Sequence, residues 1–354
     1  MKTPTLLALT LLLATACVRQ EKPIRLQGEA QGTYYNIAYY DPSHRNLQPQ
    51  VDSILSAFDQ TASLWVENSL IRKVNRHEDT TINAVFEDLL CLSLRMEEYT
   101  QGAFNCKIGS LVNLYGFGFK NRDDITDRQV DSLLHLIRNG ECHIVYPDYS
   151  AYRDHDSISV LHLFEGLDGY HVALSHGIEL DFNAIAQGYA VDMLASMLYK
   201  KGIQSYLIDV GGEVIARGRK PDGSAWTVGI ERPSADKYSD REIETAIELV
   251  DRAVVTSGNY RKYYEQDGIR YSHTIDPATG RPVSHSLLSV SVVSNEAWYA
   301  DAMATAFMVM GLDKSLQFIH DHPDNPDIQA VFFIYDDHGT YKTLATPEFQ
   351  KLIK

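Results

Sequence analysis

Apolar residues recur along this chain with two periods that alternate. Val51, Ile54, Leu55 and Phe58 fall at helical spacing and predict an amphipathic helix. Thr126-Asp-Arg-Gln129 has the form of a capping box, in which hydroxyl and amide satisfy orphan backbone N–H groups. It stands ahead of Val130, Leu133, Leu134 and Ile137, and Gly140 stops that helix. A third helix is predicted over residues 189–201, with Val191, Leu194 and Leu198 inward and Gly202 just past its end. Alternating or β-branched runs predict strands over residues 203–210, 226–230, 253–255, 288–294 and 330–335. The mixture lacks a clean βαβ succession. It predicts an α+β fold with a mixed, largely antiparallel sheet and packed helices. No repeat, low-complexity run or Pro/Gly/Ser linker divides the chain, so residues 29–354 read as one domain.

The N-terminus breaks both periods. A charged start, Met1-Lys2, precedes an apolar run from Leu6 to Leu13 that is too short to span a bilayer. Leu13-Ala-Thr-Ala-Cys17 follows, a small-residue cleavage site directly before a cysteine. It resembles the lipobox of bacterial lipoproteins. Residues 1–16 therefore read as a signal peptide, Cys17 as the lipidated first residue, and residues 17–28 as cysteine and tether. The chain carries 32 Lys and Arg against 47 Asp and Glu, a net charge of −15. Removing Lys2 with the signal makes it −16, which argues against nucleic-acid partners and leaves the lipid chain as the membrane attachment. Cys91, Cys106 and Cys142 are widely spaced and odd in number, so neither a disulfide framework nor a zinc site is expected. Cys91 lies in an apolar helical pattern and reads as core.

Candidate chemistry sits late in the chain. A histidine-bearing turn, Ser272-His-Thr-Ile-Asp276, precedes the strand at 288–294, and Ala300-Asp-Ala-Met-Ala-Thr305 follows it on a helix. Asp301 and Thr305 are four apart and share a helix face. A carboxylate and a hydroxyl together suit a hard cation such as Mg²⁺. The alternative is a helix-dipole charge and a core threonine. Glu179-Leu-Asp-Phe182 reads as a strand, with Asn183 capping the helix that follows. Asp209-Val-Gly-Gly-Glu213 lacks the dinucleotide fingerprint spacing, and such a glycine pair is more often just a tight turn. Gly102-Ala-Phe-Asn-Cys-Lys107 and the aromatic- and glycine-rich residues 109–118 can wall a flat ring or pack a core.

Taken in order, these segments resemble the ApbE family of FAD:protein FMN transferases. The likeness is carried by Gln31-Gly-Thr33, Ser63-Leu-Trp65, Gly102-Ala-Phe-Asn105, residues 111–118, Leu180-Asp-Phe-Asn-Ala-Ile-Ala-Gln-Gly188 with its continuation to Asp192, Val210-Gly-Gly212, Thr256-Ser-Gly258, His273 to Gly280, and Ala300 to Thr305. The resemblance implies a Mg²⁺-dependent transfer of FMN from FAD to a threonine or serine of a target flavoprotein, with AMP released. Family metal ligands fall on Asp301, Thr305 and the carbonyl of Ala184. FAD contacts fall on Gln31, Trp65, Ala103, Phe104, Asn105, Asp181, Gln187 and Ile275, and His273 is the candidate base. Gln31 stands where methionine is common, Gln187 where lysine is usual, and Trp65 where tyrosine is frequent. The resemblance also implies flavoprotein subunits of membrane redox complexes as partners and a periplasm-facing, lipid-anchored location. An FAD pyrophosphatase and a non-enzymatic flavin-binding lipoprotein would use the same contacts, and the sequence leaves both open.

Overall fold

The computed structural model describes residues 22–117, 125–146, 170–233, 242–258, 263–266, 269–272 and 274–354. The signal segment, Cys17 and His273 lie outside the described residues. The chain opens with β1 (Ile24–Ala30) and β2 (Thr33–Tyr40), then α1 (Gln48–Ala62), α2 (Leu70–Asn75), α3 (Ala84–Tyr99), α4 (Gly109–Leu114) and α5 (Asp127–Asn139). A small hairpin, β3 (Cys142–Val145) with β4 (His171–Leu174), leads to α6 (Ala186–Lys200). Next come β5 (Ser205–Val210), β6 (Glu213–Arg217), β7 (Trp226–Glu231), β8 (Ile243–Leu249), β9 (Arg252–Gly258), β10 (Tyr263–Gln266), β11 (Ile269–Ser272), β12 (Ile275–Asp276) and β13 (Arg281–Pro282). The last elements are β14 (Leu287–Ser294), α7 (Ala297–Met310), α8 (Leu312–Asp321), β15 (Ala330–Asp337), β16 (Thr340–Ala345) and α9 (Pro347–Gln350).

Eight strands form one sheet in the order β1-β2-β5-β6-β9-β14-β15-β16, with every neighbouring pair antiparallel. The α+β expectation and its antiparallel sheet both hold. Its two faces bury different partners. On one face α1, α3, α6, α7 and α8 pack in a core built on residues such as Leu55, Phe86, Leu194 and Phe307. The other is covered by the β7–β8 hairpin and α9, through Trp226, Ile247, Leu249 and Phe349 against Phe332 and Ile334. β14 is therefore buried along nearly its whole length, its serines included, and Ser291 Oγ meets Thr256 Oγ1 of β9 at 2.7 Å.

Local patterning translates directly into packing. Val51, Leu55 and Phe58 of α1 are buried. Thr126 and Gln129 form the reciprocal capping box, and α5 then buries Val130, Leu134 and Ile137 against Leu111, Tyr115 and Ile275. Two boundaries and one burial differ from expectation. β1 begins at Ile24, inside the segment read as tether, because Ile24 to Ala30 pair with Tyr39 to Thr33. Helix α6 starts at Ala186, three residues early. Cys91 is only half-buried, because its position on α3 lies beside the buried stripe of Leu89, Leu90 and Ser93.

An ion pair between exposed Arg45 and buried Asp41 ties the end of β2 to the end of α6. The Asp41 side chain is 2% exposed and accepts from Arg45 Nε at 2.6 Å, Arg45 N at 3.1 Å and Ser43 N at 3.0 Å. Arg45 Nη2 also donates to the Lys201 carbonyl at 2.9 Å, just beyond α6. The Arg45 guanidinium foremost holds the Asp41 carboxyl down to about 2. Its folded value lies below its unfolded one, so the stabilisation is present above about pH 4 and lost as pH falls toward 2. Asp41→Asn should cost about 1.5–3 kcal/mol in urea melts at pH 7. The gap to the parent should close as the melts are repeated at pH 4, 3 and 2.

Candidate active site

The site forms where one end of the sheet meets the helical layer. A cleft of about 440 Å³ opens there, and it continues past Trp65, Val112 and Phe117 into a lobe of about 240 Å³. Such a space, long rather than round, suits an extended ligand. Every predicted contact within the described residues lines it: Gln31, Trp65, Ala103, Phe104, Asn105, Asp181, Ala184, Gln187, Ile275, Asp301 and Thr305. His273 lies outside the described residues, although its neighbours Thr274 and Ile275 line the same cleft.

Asp301 sits in the second turn of α7 and is 5% exposed. Its Oδ2 accepts from the Gly188 N–H of α6 at 3.0 Å. Burial pushes its carboxyl well above the ordinary carboxylate range, the Gly188 N–H partly offsets this, and Asp192 raises it further. The helix-capping role is taken by another residue. Asp192 of α6 accepts from Ala297 N at 3.1 Å and Trp298 N at 2.8 Å, and it caps α7 from outside the helix. The N-cap residue of α7, Glu296, makes no side-chain cap bond, so the cap comes across the helix pair. The dipole reading of Asp301 is thereby displaced.

The helices approach closely at this point. A Cβ on Gly188 would stand 2.4 Å from the Ala297 carbonyl oxygen and 2.8 Å from the Trp298 Cα, both backbone atoms. Gly188→Ala should force α6 and α7 apart, at about 1–3 kcal/mol in a chemical-denaturation series. It should also move Asp301 enough to lower turnover more than stability alone accounts for.

Thr305 stands one turn beyond Asp301, with Oγ1 3.4 Å from Ser257 Oγ on β9. Ala184 lies in the turn before α6, where the Phe182 carbonyl accepts from Ile185 N and Ala186 N at 3.0 and 2.8 Å. Asp301, Thr305 and Ala184 line the same cleft and offer a carboxylate, a hydroxyl and a loop carbonyl, all hard oxygen donors. Asp301 has no ion pair with a described cation. These residues fit a cation such as Mg²⁺, which takes oxygen ligands and shares them with phosphate.

Two expectations around this turn fail. Glu179 to Phe182 is not a strand, and only an isolated bridge joins Ile108 to Glu179. The Asn75 side chain takes the place of a strand partner, donating to the Leu180 carbonyl at 2.8 Å and accepting its N–H at 2.7 Å. Asn183 does not cap α6. It is exposed, and its own N–H donates to Asp181 Oδ1 at 2.8 Å, closing an Asx turn. The glycine pair is a turn, with Gly211 and Gly212 at positive φ joining β5 to β6. Gly211 leaves room for the Gln187 amide, which a Cβ there would meet at 2.7 Å.

The walls divide into core and surface. Phe104 and Ile275 are 1% and 2% exposed, so their rings and branches pack inward while the segments carrying them border the cleft. Asn105 is held by Glu97, which also pairs with Lys107 at 2.9 Å. Trp65 is 63% exposed and presents a large apolar face. Sequence reasoning missed Asp59 and assigned no contact to Ser257 or Glu213 within their motifs, yet all three line the cleft. Glu213 is buried and closes the glycine turn; a carboxylate placed directly after Gly-Gly was the available signal.

Residues 31–332 match the ApbE family model. The chain belongs to the ApbE family. It is 32% identical over 353 residues to a Vibrio cholerae protein named FAD:protein FMN transferase, covering 97% of each chain. An Escherichia coli K12 protein of the same name is 30% identical, over 93% of this chain and 88% of that one. Among solved structures, the Pseudomonas stutzeri flavinyl transferase ApbE in its apo form superposes with a TM-score of 0.76 at 29% identity. The match covers 95% of this chain and 98% of that one. Among the described residues, no helix is long and apolar enough to cross a membrane.

Proposed function

We propose that this chain transfers FMN from FAD to a threonine or serine hydroxyl of a target flavoprotein and releases AMP. One observation carries the reading. Eleven residues drawn from segments between Gln31 and Thr305 converge on one cleft, Ala184, Asp301 and Thr305 among them. The family relatives named FAD:protein FMN transferase support the same reaction class.

The acceptor hydroxyl oxygen forms a bond to the FMN-side phosphorus. The bond from that phosphorus to the bridging oxygen breaks, and AMP departs carrying that oxygen. His273 accepts the hydroxyl proton, since a threonine hydroxyl is a weak nucleophile without a nearby base. Asp301, Thr305 and the Ala184 carbonyl would hold Mg²⁺, which supplies charge neutralisation for the pyrophosphate. Asp192 and Gly188 keep Asp301 in place, and the Trp65 face covers a flat part of the ligand.

Cys17 is the proposed lipid attachment, which would hold the domain on the periplasmic side of a bacterial membrane. Flavoprotein subunits of membrane redox complexes are the corresponding partners. The test is intact mass of a threonine-bearing acceptor peptide, incubated with FAD, Mg²⁺ and the chain lacking residues 1–17. The expected result is a gain of one FMN, blocked by EDTA, with AMP formed in equal amount. Free FMN and AMP on an unmodified peptide would mean hydrolysis instead, and bound but unconverted FAD would mean a binding protein.

A further inference from the structure

The β1–β2 turn contains a residue whose side-chain amide has no hydrogen-bond partner among the described residues. Gln31 and Gly32 are the two turn residues, at φ 54° and 70°. Glycine adopts that region freely, whereas a glutamine there is strained. Such turns favour asparagine, aspartate or glycine, so turn chemistry does not account for Gln31. Its Oε1 and Nε2 are both buried, and neither has a hydrogen-bond partner among the described residues. Strain and an unsatisfied amide thus coincide at one position, and that position lines the cleft. Turning the side chain toward a ligand breaks no hydrogen bond.

The surroundings narrow what it can meet. The backbone N–H of Gln31 hydrogen-bonds Asp59 at the end of α1, and both residues line the cleft with the Gln187 amide. No lysine, arginine or histidine is among the described residues of this wall. Amides beside a carboxylate do not make a phosphate site. A carboxamide carries a donor beside an acceptor, which matches the edge of a nitrogen heterocycle.

Resting on the flavin-nucleotide reading above, we propose that the Gln31 carboxamide hydrogen-bonds the donor–acceptor edge of a heterocyclic ring of the bound dinucleotide. Gln31 is then a specificity-determining residue and more than a backbone contact. Isoalloxazine and adenine both present such an edge, so the test separates them. Binding of FAD, FMN and AMP is titrated by calorimetry with the parent, Gln31→Gly and Gln31→Met. Glycine keeps the positive-φ turn and the N–H to Asp59, so that variant retains the fold, which its melting temperature checks.

Both variants should bind FAD at least about tenfold more weakly. The loss should reappear with FMN and not AMP if the flavin edge is read, and with AMP and not FMN if adenine is. Gln31→Gly binding FAD within twofold of the parent overturns the proposal, leaving a backbone contact. A parent that binds neither FAD nor FMN overturns the flavin reading itself, and the proposal falls with it.

Discussion

Asp301→Asn will abolish metal-dependent transfer while making the metal-free protein more stable. The carboxylate is 5% exposed, and the Gly188 N–H is its hydrogen-bond donor within the described protein. Asparagine keeps a carbonyl oxygen for that N–H and removes a charge whose burial is unfavourable without a cation. The metal-free variant should therefore gain about 0.5–2 kcal/mol, the usual range when an active-site compromise is relieved. Activity should fall by at least about 10³-fold, since charge stabilisation at the phosphorus is lost. Thermal melts give a second readout. Mg²⁺ should raise the melting temperature of the parent and leave the variant unmoved, because only the parent binds it in the folded state. A variant that is less stable without metal and still stabilised by Mg²⁺ would show that Asp301 serves packing and that the cation sits elsewhere.

His273→Ala carries the second large effect. His273 is the proposed proton acceptor and has no proposed part in holding FAD. Transfer should drop about 10²–10⁴-fold, the range for loss of a general base. FAD affinity, read by titration, should change by less than about threefold. A weakened affinity with proportionate loss of rate would make His273 a binding residue. Unchanged transfer would shift the proton to another group, and Glu213, a buried carboxylate on the same cleft, would be next.

What was legible in the sequence was local. The α1 stripe, the Thr126–Gln129 box and the face shared by Asp301 and Thr305 depend on residues within one or two turns, and all are present. The alternation of Val290 and Val292 with Ser289 and Ser291 made β14 legible as a strand, although both faces are buried and its serines lie inside. Contacts between distant segments were not. Tyr35 faces Val210 across the β2–β5 ladder, a pairing that no period encodes. Asp192 caps a helix about a hundred residues later, and Asn75 completes the backbone of Leu180 from α2. The segment 179–182 looked like a strand because its alternation is real, but its partner is a side chain. Cleft residues were found through ordered motifs, so Asp59 was missed: it follows Phe58 on a helix whose pattern reports only the core face.

The central claim is that Asp301, Thr305 and the Ala184 carbonyl present a cation to a flavin dinucleotide in this cleft. Crystals grown with FAD and Mn²⁺, which scatters anomalously where Mg²⁺ does not, test it most directly. The expected result is an anomalous peak bounded by those three residues, with FAD density running along the cleft past Trp65. A peak at other ligands, or FAD bound elsewhere while this cleft stays empty, would contradict it.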